Sequence, residues 1–193
     1  RLKNSAKEGT RRADGPTYPR IGHEECLKAL MASDHYQSKL EGPHRGRGVA
    51  SGFWGNGGGI SSASASVNAD GTVNLVEGST DIGGSRTSMA MHIAEVLGIG
   101  IEDVNPAVGD TDSIGYTGVT GGSRTTFATG WASYNTAQDI KAQMIGRAAI
   151  HWEISPEDVA FEDGIFRSKS DPSKQLTFKE MAAKLDATGG PVM

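Results

Sequence analysis

The chain has 193 residues, a net charge of −4 and one cysteine, Cys26. That length supports one domain with a core, or one domain plus an arm, and the scattered positive residues exclude a broad basic face for nucleic acid. A lone cysteine excludes an internal disulfide framework, a multi-cysteine zinc site and an iron-sulfur cluster held by this chain alone.

No apolar run approaches the roughly 18–20 residues that span a bilayer, and Arg1-Leu2-Lys3-Asn4-Ser5 lacks a signal-peptide core, so a cytoplasmic location and no membrane span are expected. The first residue is Arg and the chain stops soon after Gly189-Gly190-Pro191, which reads as an excised piece of something larger.

Residues 1–45 read as an extended arm or linker. Gly9, Gly15, Pro16 and Pro19 interrupt its charged start, and Leu27, Leu30 and Met31 give it one short amphipathic helix that ends before Ser33. From Val49 the pattern turns to strands. Gly57-Gly58-Gly59 precedes no helical pattern, so it reads as strand or bulge rather than a phosphate loop, and residues 60–68 alternate. Asp70-Gly71 is a turn, and the following strand puts Val73, Leu75 and Glu77 on one face.

Gly83-Gly84-Ser85-Arg86-Thr87 then opens a helix from about Ser85 to Leu97, with Met89, Ile93, Val96 and Leu97 as its buried stripe and Gly98 as its stop. A strand is expected near Val104 to Val108, followed by a long loop over 109–120. A second cassette, Gly121-Gly122-Ser123-Arg124-Thr125-Thr126, opens the longest helix, about Ser123 to Trp152. Its stripe of Phe127, Trp131, Tyr134, Ala137, Ile140, Met144 and Ala148 reads as core, aromatics included. Ser155-Pro156 starts a short turn, a strand pair reverses at Asp163-Gly164, and Thr177-Phe178-Lys179-Glu180 is a capping box for the last helix.

The order cassette, helix, Ile101-Glu102-Asp103-Val104 and strand is echoed by cassette, helix, Ser155-Pro156-Glu157-Asp158-Val159 and strand. The expected fold is therefore α+β: small mixed or antiparallel sheets flanked by helices, built as two related α/β units. Each cassette joins a flexible Gly pair to a helix start with unpaired N–H groups and adds Ser, Thr and Arg donors. That composition suits an anion, and the doubling points to a phosphorylated cofactor. Read alone, either serine is equally a plain helix cap. Asp81, Asp110 and Asp112 read as loop caps, and the five histidines show no metal-ligand spacing, so no metal ligand is assigned. No nucleophile elbow or Walker sequence is present.

The ordered run Gly71-Thr72-Val73, Gly78, Asp81-Ile82-Gly83-Gly84, Ala94-Glu95-Val96-Leu97-Gly98-Ile99, Glu102-Asp103-Val104, Gly109-Asp110-Thr111-Asp112 and Thr120-Gly121-Gly122-Ser123-Arg124-Thr125-Thr126 resembles the large subunit of molybdenum hydroxylases, the xanthine dehydrogenase and aldehyde oxidase family. The resemblance runs from about Arg45 to Trp152 and is most specific from Asp81 to Thr126. It implies that residues 46–193 are a molybdopterin-binding segment. Gly83, Gly84 and Ser85 would approach the pterin and its phosphate chain, and Thr120, Gly122, Ser123, Arg124 and Thr125 would supply further donors. One departure stands out: the family commonly has Gln between two glycines in the first motif, where this chain has Gly83.

The resemblance further implies molybdopterin, alone or as a dinucleotide, carrying molybdenum. It implies water-dependent hydroxylation of a small-molecule substrate, an aromatic heterocycle or aldehyde. The expected partners are the remainder of the large subunit, an iron-sulfur small subunit and a flavin subunit carrying FAD. The family's substrate-side glycine loop and its glutamate motif are missing from this segment. No catalytic residue is assigned, Glu77, Glu95 and Glu157 included, and the segment alone is expected to be inactive. The residues by themselves also admit a stand-alone nucleotide- or phosphate-binding module and a non-catalytic assembly segment.

Overall fold

A computed structural model describes every residue except Phe53. The chain divides into two compact units, Arg1–Phe53 and Trp54–Met193. In the first, helix α1 (His23–Ala32) carries the amphipathic turn and buries Leu27, and Glu24 pairs with Lys28 one helical turn on at 2.8 Å. A short helix α2 (Asp34–Gln37), not anticipated from the sequence, follows at once. Ser33 caps it by accepting from the Tyr36 N–H.

The second unit holds two three-stranded sheets. Strand β1 (Ala63–Val67) pairs antiparallel with β2 (Val73–Glu77), and β2 pairs parallel with β3 (Val104–Val108). Helix α3 (Ser85–Leu97) makes the crossover a parallel pair requires. Val73, Leu75 and Glu77 all point inward, as their alternation predicts. Helix α4 (Gly130–Trp152) packs on α3 and against β1. Leu75, Met89, Ile93, Ile140 and Met144 are fully buried between these layers, each worth roughly 1.5–3 kcal/mol of apolar burial.

The second sheet is an antiparallel meander of β4 (Val159–Glu162), β5 (Ile165–Ser168) and β6 (Gln175–Thr177). Asp163 and Gly164 both have positive φ, the geometry of the two-residue hairpin turn that the Asp-Gly pair predicts. The capping box forms: the Thr177 hydroxyl accepts from the Glu180 N–H while the Glu180 carboxylate accepts from the Thr177 N–H. The last helix, however, breaks into α5 (Phe178–Ala182) and α6 (Leu185–Thr188). The end of α3 meets the β4–β5 turn of the second sheet. Gly98 caps that helix in the left-handed region, and a Cβ there would run into the backbone of Gly164.

The internal echo is present in three dimensions up to a point. Helices α3 and α4 both end on a left-handed residue, Gly98 or Glu153, and each leads through a 3₁₀ turn, Ile101–Asp103 or Pro156–Asp158, into a strand. The copies then diverge, because β3 runs parallel to β2 whereas β4 starts an antiparallel meander.

Three expectations need correction. First, among the described residues no strand forms between Val49 and Ser62. The carbonyls of Gly58 and Ile60 accept from Arg124 and so are not free for a neighbouring strand. Second, α4 does not begin at Ser123. That residue has φ of 56°, a left-handed value incompatible with a helix interior, and the chain enters the helix through one π turn, Thr125–Thr129. Third, the aromatic half of the α4 stripe is not core. Phe127 and Trp131 are each 62% exposed and Tyr134 is partly exposed, whereas Ala137, Ile140, Met144 and Ala148 are fully buried. The stripe is continuous, but the first turn of α4 buries a different face, Gly130 and Ser133, and leaves the aromatics outward.

Candidate cofactor-binding site

The loop between β2 and α3 is held from within. The Ser85 hydroxyl donates to the Thr80 carbonyl at 3.3 Å and accepts from the Ile82 N–H at 3.2 Å. Asp81 accepts from the Arg86 N–H at 3.0 Å and pairs with its guanidinium at 3.3 Å. Ser85 thus closes the turn, and Asp81 serves one of the orphan donors at the helix start. Gly83 and Gly84, with φ of 61° and 78°, have N–H groups that meet no acceptor among the described residues. Both lie on the exposed turn, and among the described residues nothing stands within 4 Å of a Cβ built at either position.

The second cassette is braced by a different device. Arg124 is 5% exposed, and its guanidinium donates to the carbonyls of Gly58 (3.2 Å), Gly118 (2.7 Å), Val119 (3.4 Å) and Ile60 (2.6 Å) and to the Ser61 hydroxyl (2.7 Å). The Gly57 N–H donates to the Gly122 carbonyl at 2.6 Å. Arg124 therefore shapes the loop from inside, with no side-chain donor left for an anion. What the loop presents is the left-handed pair Gly122 and Ser123 on its exposed rim; beneath it lies the buried Thr125 hydroxyl, which meets no partner among the described residues. A run of unpaired N–H groups in such a conformation is an anion-binding concavity.

The two loops come together although about forty positions separate them. Thr80 and Thr120 join hydroxyl to hydroxyl at 3.1 Å, and behind them Ser79 bonds Thr129, which donates to Ser61 at 3.0 Å. Ser61, Thr80 and Thr129 were not singled out in the sequence, because an isolated hydroxyl in a loop or helix carries no periodic signal. Two of the three aspartates act as caps: Asp110 accepts from the Asp112 and Ser113 N–H groups, which holds its carboxyl below the usual range, and Asp81 caps α3. Among the described residues no three His, Cys, Asp or Glu side chains gather as a metal site.

The donor set is neutral: backbone N–H groups of Gly83 and Gly84, a left-handed Gly122-Ser123 rim, and the orphaned Thr125 hydroxyl. These groups fit the phosphate and ring-edge acceptors of a pterin cofactor, and the open space over the glycines admits close approach.

Comparison with known proteins bears on the same region. Residues 27–192 match the family model described as the molybdopterin cofactor-binding domain. The chain is 31% identical over 170 residues to the xanthine dehydrogenase molybdenum-binding subunit of Escherichia coli O157:H7, an alignment covering 78% of this chain and 22% of that protein. It is 37% identical over 99 residues to the carbon monoxide dehydrogenase large chain of Afipia carboxidovorans, covering 51% and 12%. Among solved structures, the Cu,Mo-CO dehydrogenase in its carbon monoxide reduced state superposes with a TM-score of 0.61 at 34% identity, over 65% of this chain and 16% of that one. The chain thus spans about a fifth or less of the relatives it matches.

Proposed function

The chain belongs to the molybdopterin cofactor-binding domain family, and from that premise we propose that residues 46–193 hold a molybdopterin, alone or as its dinucleotide, across the two glycine loops. The observation that supports this reading is the Thr80–Thr120 link, which ties the loop carrying Gly83 and Gly84 to the loop carrying Gly122 and Ser123. In this arrangement Gly83, Gly84, Gly122, Ser123 and Thr125 donate to the cofactor. Ser85, Thr120 and Arg124 hold the donors in place from behind. Preorganised N–H groups bind without the ordering cost a flexible loop would incur.

The bound cofactor would supply the redox chemistry of a molybdenum hydroxylase acting with water on an aromatic heterocycle or aldehyde. This chain's own residues bind and orient it; none is assigned to proton transfer. We place the segment in the large subunit of a cytoplasmic enzyme, with an iron-sulfur small subunit and a flavin subunit carrying FAD as electron-transfer partners. The exposed Phe127 and the stacked pair Trp131–Tyr134, 5.2 Å between ring centres, offer apolar surface to the remainder of that large subunit. The segment alone would be inactive. The family match favours this reading over a free-standing nucleotide-binding or assembly module.

Molybdenum and pterin assays on the purified full-length subunit test the proposal. Stoichiometric amounts of both are expected, and a subunit free of both with full hydroxylase activity would overturn it. Stabilisation by simple nucleotides but not by a pterin dinucleotide would also count against it.

A further inference from the structure

Behind the two loops lies a buried polar chain that reaches a carboxyl the cofactor reading does not use. Glu77, the last residue of β2, is 0% exposed, and its Oε2 accepts from the Ser79 N–H at 2.7 Å. The Ser79 hydroxyl bonds Thr129, and Thr129 donates to Ser61, which also accepts from Arg124. One hydrogen-bonded path thus runs from a carboxyl under the first loop to the guanidinium that braces the second. The other carboxyl oxygen, Oε1, is buried with no partner among the described residues, as is the Ser133 hydroxyl on α4.

A carboxylate cannot sit cheaply in such a place. Ionised, Glu77 would keep one hydrogen bond and leave Oε1 charged, buried and unmatched. The charged and titratable groups on the flanking elements do not neutralise it. Arg86 lies at the start of α3 but is already paired with Asp81, whose own charge opposes ionisation. His92 on α3 lies against Gly130, Asp110 after β3 is bound in its own turn, and Arg124 is engaged with carbonyls. Burial is the foremost cause raising the Glu77 pKa; the Ser79 N–H and, least of all, the Arg86 charge oppose it.

Resting on the cofactor reading above, we propose that Glu77 is a positioning residue that regulates the cradle. As a neutral carboxyl it seats the Ser79 turn against Thr129 and keeps the two glycine loops in register. As a carboxylate it opens that turn to water and loosens the grip on the cofactor. The sign follows from linkage. A group whose pKa is raised on folding stabilises the closed form below the ordinary carboxylate value, and that stability is lost as pH climbs through the folded value.

The test uses the assembled holoenzyme carrying wild type, Glu77→Gln or Glu77→Ala, with two readouts across a pH series. One is hydrogen exchange of the segment 77–84, corrected for its intrinsic pH dependence. The other is molybdenum released on dialysis. Wild-type opening should rise with pH, by up to about tenfold per unit, from the ordinary carboxylate value until the folded group is ionised, and cofactor release should follow. Gln keeps an acceptor for the Ser79 N–H and carries no charge, so Glu77→Gln should be flat in both readouts and retain cofactor. Glu77→Ala should exchange fast at every pH. A flat wild-type profile, or a Gln variant that keeps the wild-type pH dependence, would overturn the proposal. Should no variant ever carry molybdopterin, the proposed function falls, and the exchange profile still decides the role of Glu77.

Discussion

Five N–H donors in one plane make arginine the side chain best suited to gathering several carbonyls at once, and Arg124 commits its guanidinium to four carbonyls and a hydroxyl. Lysine offers fewer donors without the fork, so Arg124→Lys should leave buried carbonyls unmatched. It should lower the unfolding free energy of the 193-residue chain by about 2–3 kcal/mol. Urea unfolding checks this, and an unchanged midpoint would contradict the bracing role. From the sequence, Arg124 reads as a phosphate donor, because the local pattern Gly-Gly-Ser-Arg does not reveal that the distant Gly57-Gly58-Gly59 run lies beside it. Glu77 shows the same division. Alternation with Val73 and Leu75 places it on the inner face, but nothing local tells that its partners would be Ser79 and, through it, Thr129.

Elements with a local cause were legible. The Asp-Gly hairpin, the capping box and the helix ended by Gly98 each rest on a few adjacent residues whose conformational preferences agree. Elements decided at long range were not. Strand β6 needs β5 as a partner, and the aromatic turn of α4 has the period of a core stripe but stays exposed. Where α3 meets the second sheet, Gly98 and Gly164 approach backbone to backbone, each at positive φ. Gly98→Ala should therefore cost about 2–3 kcal/mol, beyond an ordinary helix-terminal change. Its effect should appear as protease sensitivity in both β4–β5 and the end of α3. A neutral result would mean that this contact is not rigid.

At the scale of the whole molecule, the fold brings together the loops that carry the two sequence cassettes. Parallel pairing of β2 with β3 returns the chain to the same edge, α3 and α4 pack together, and the loops before them share the Thr80–Thr120 bond. Convergence of the cassettes could be suspected from their repetition, and the family from their order. Which groups remain free, the backbone of the glycines and not the arginine, required the three-dimensional arrangement. The most direct measurement is the molybdenum and pterin content of the full-length subunit carrying Gly83→Ala and Gly84→Ala together. Nothing lies within 4 Å of the added methyl groups, so the fold should survive at a backbone cost of about 1–2 kcal/mol per residue. The account predicts a folded subunit in which molybdenum and pterin fall together to well below stoichiometric levels. A folded subunit that retains both in full would contradict it.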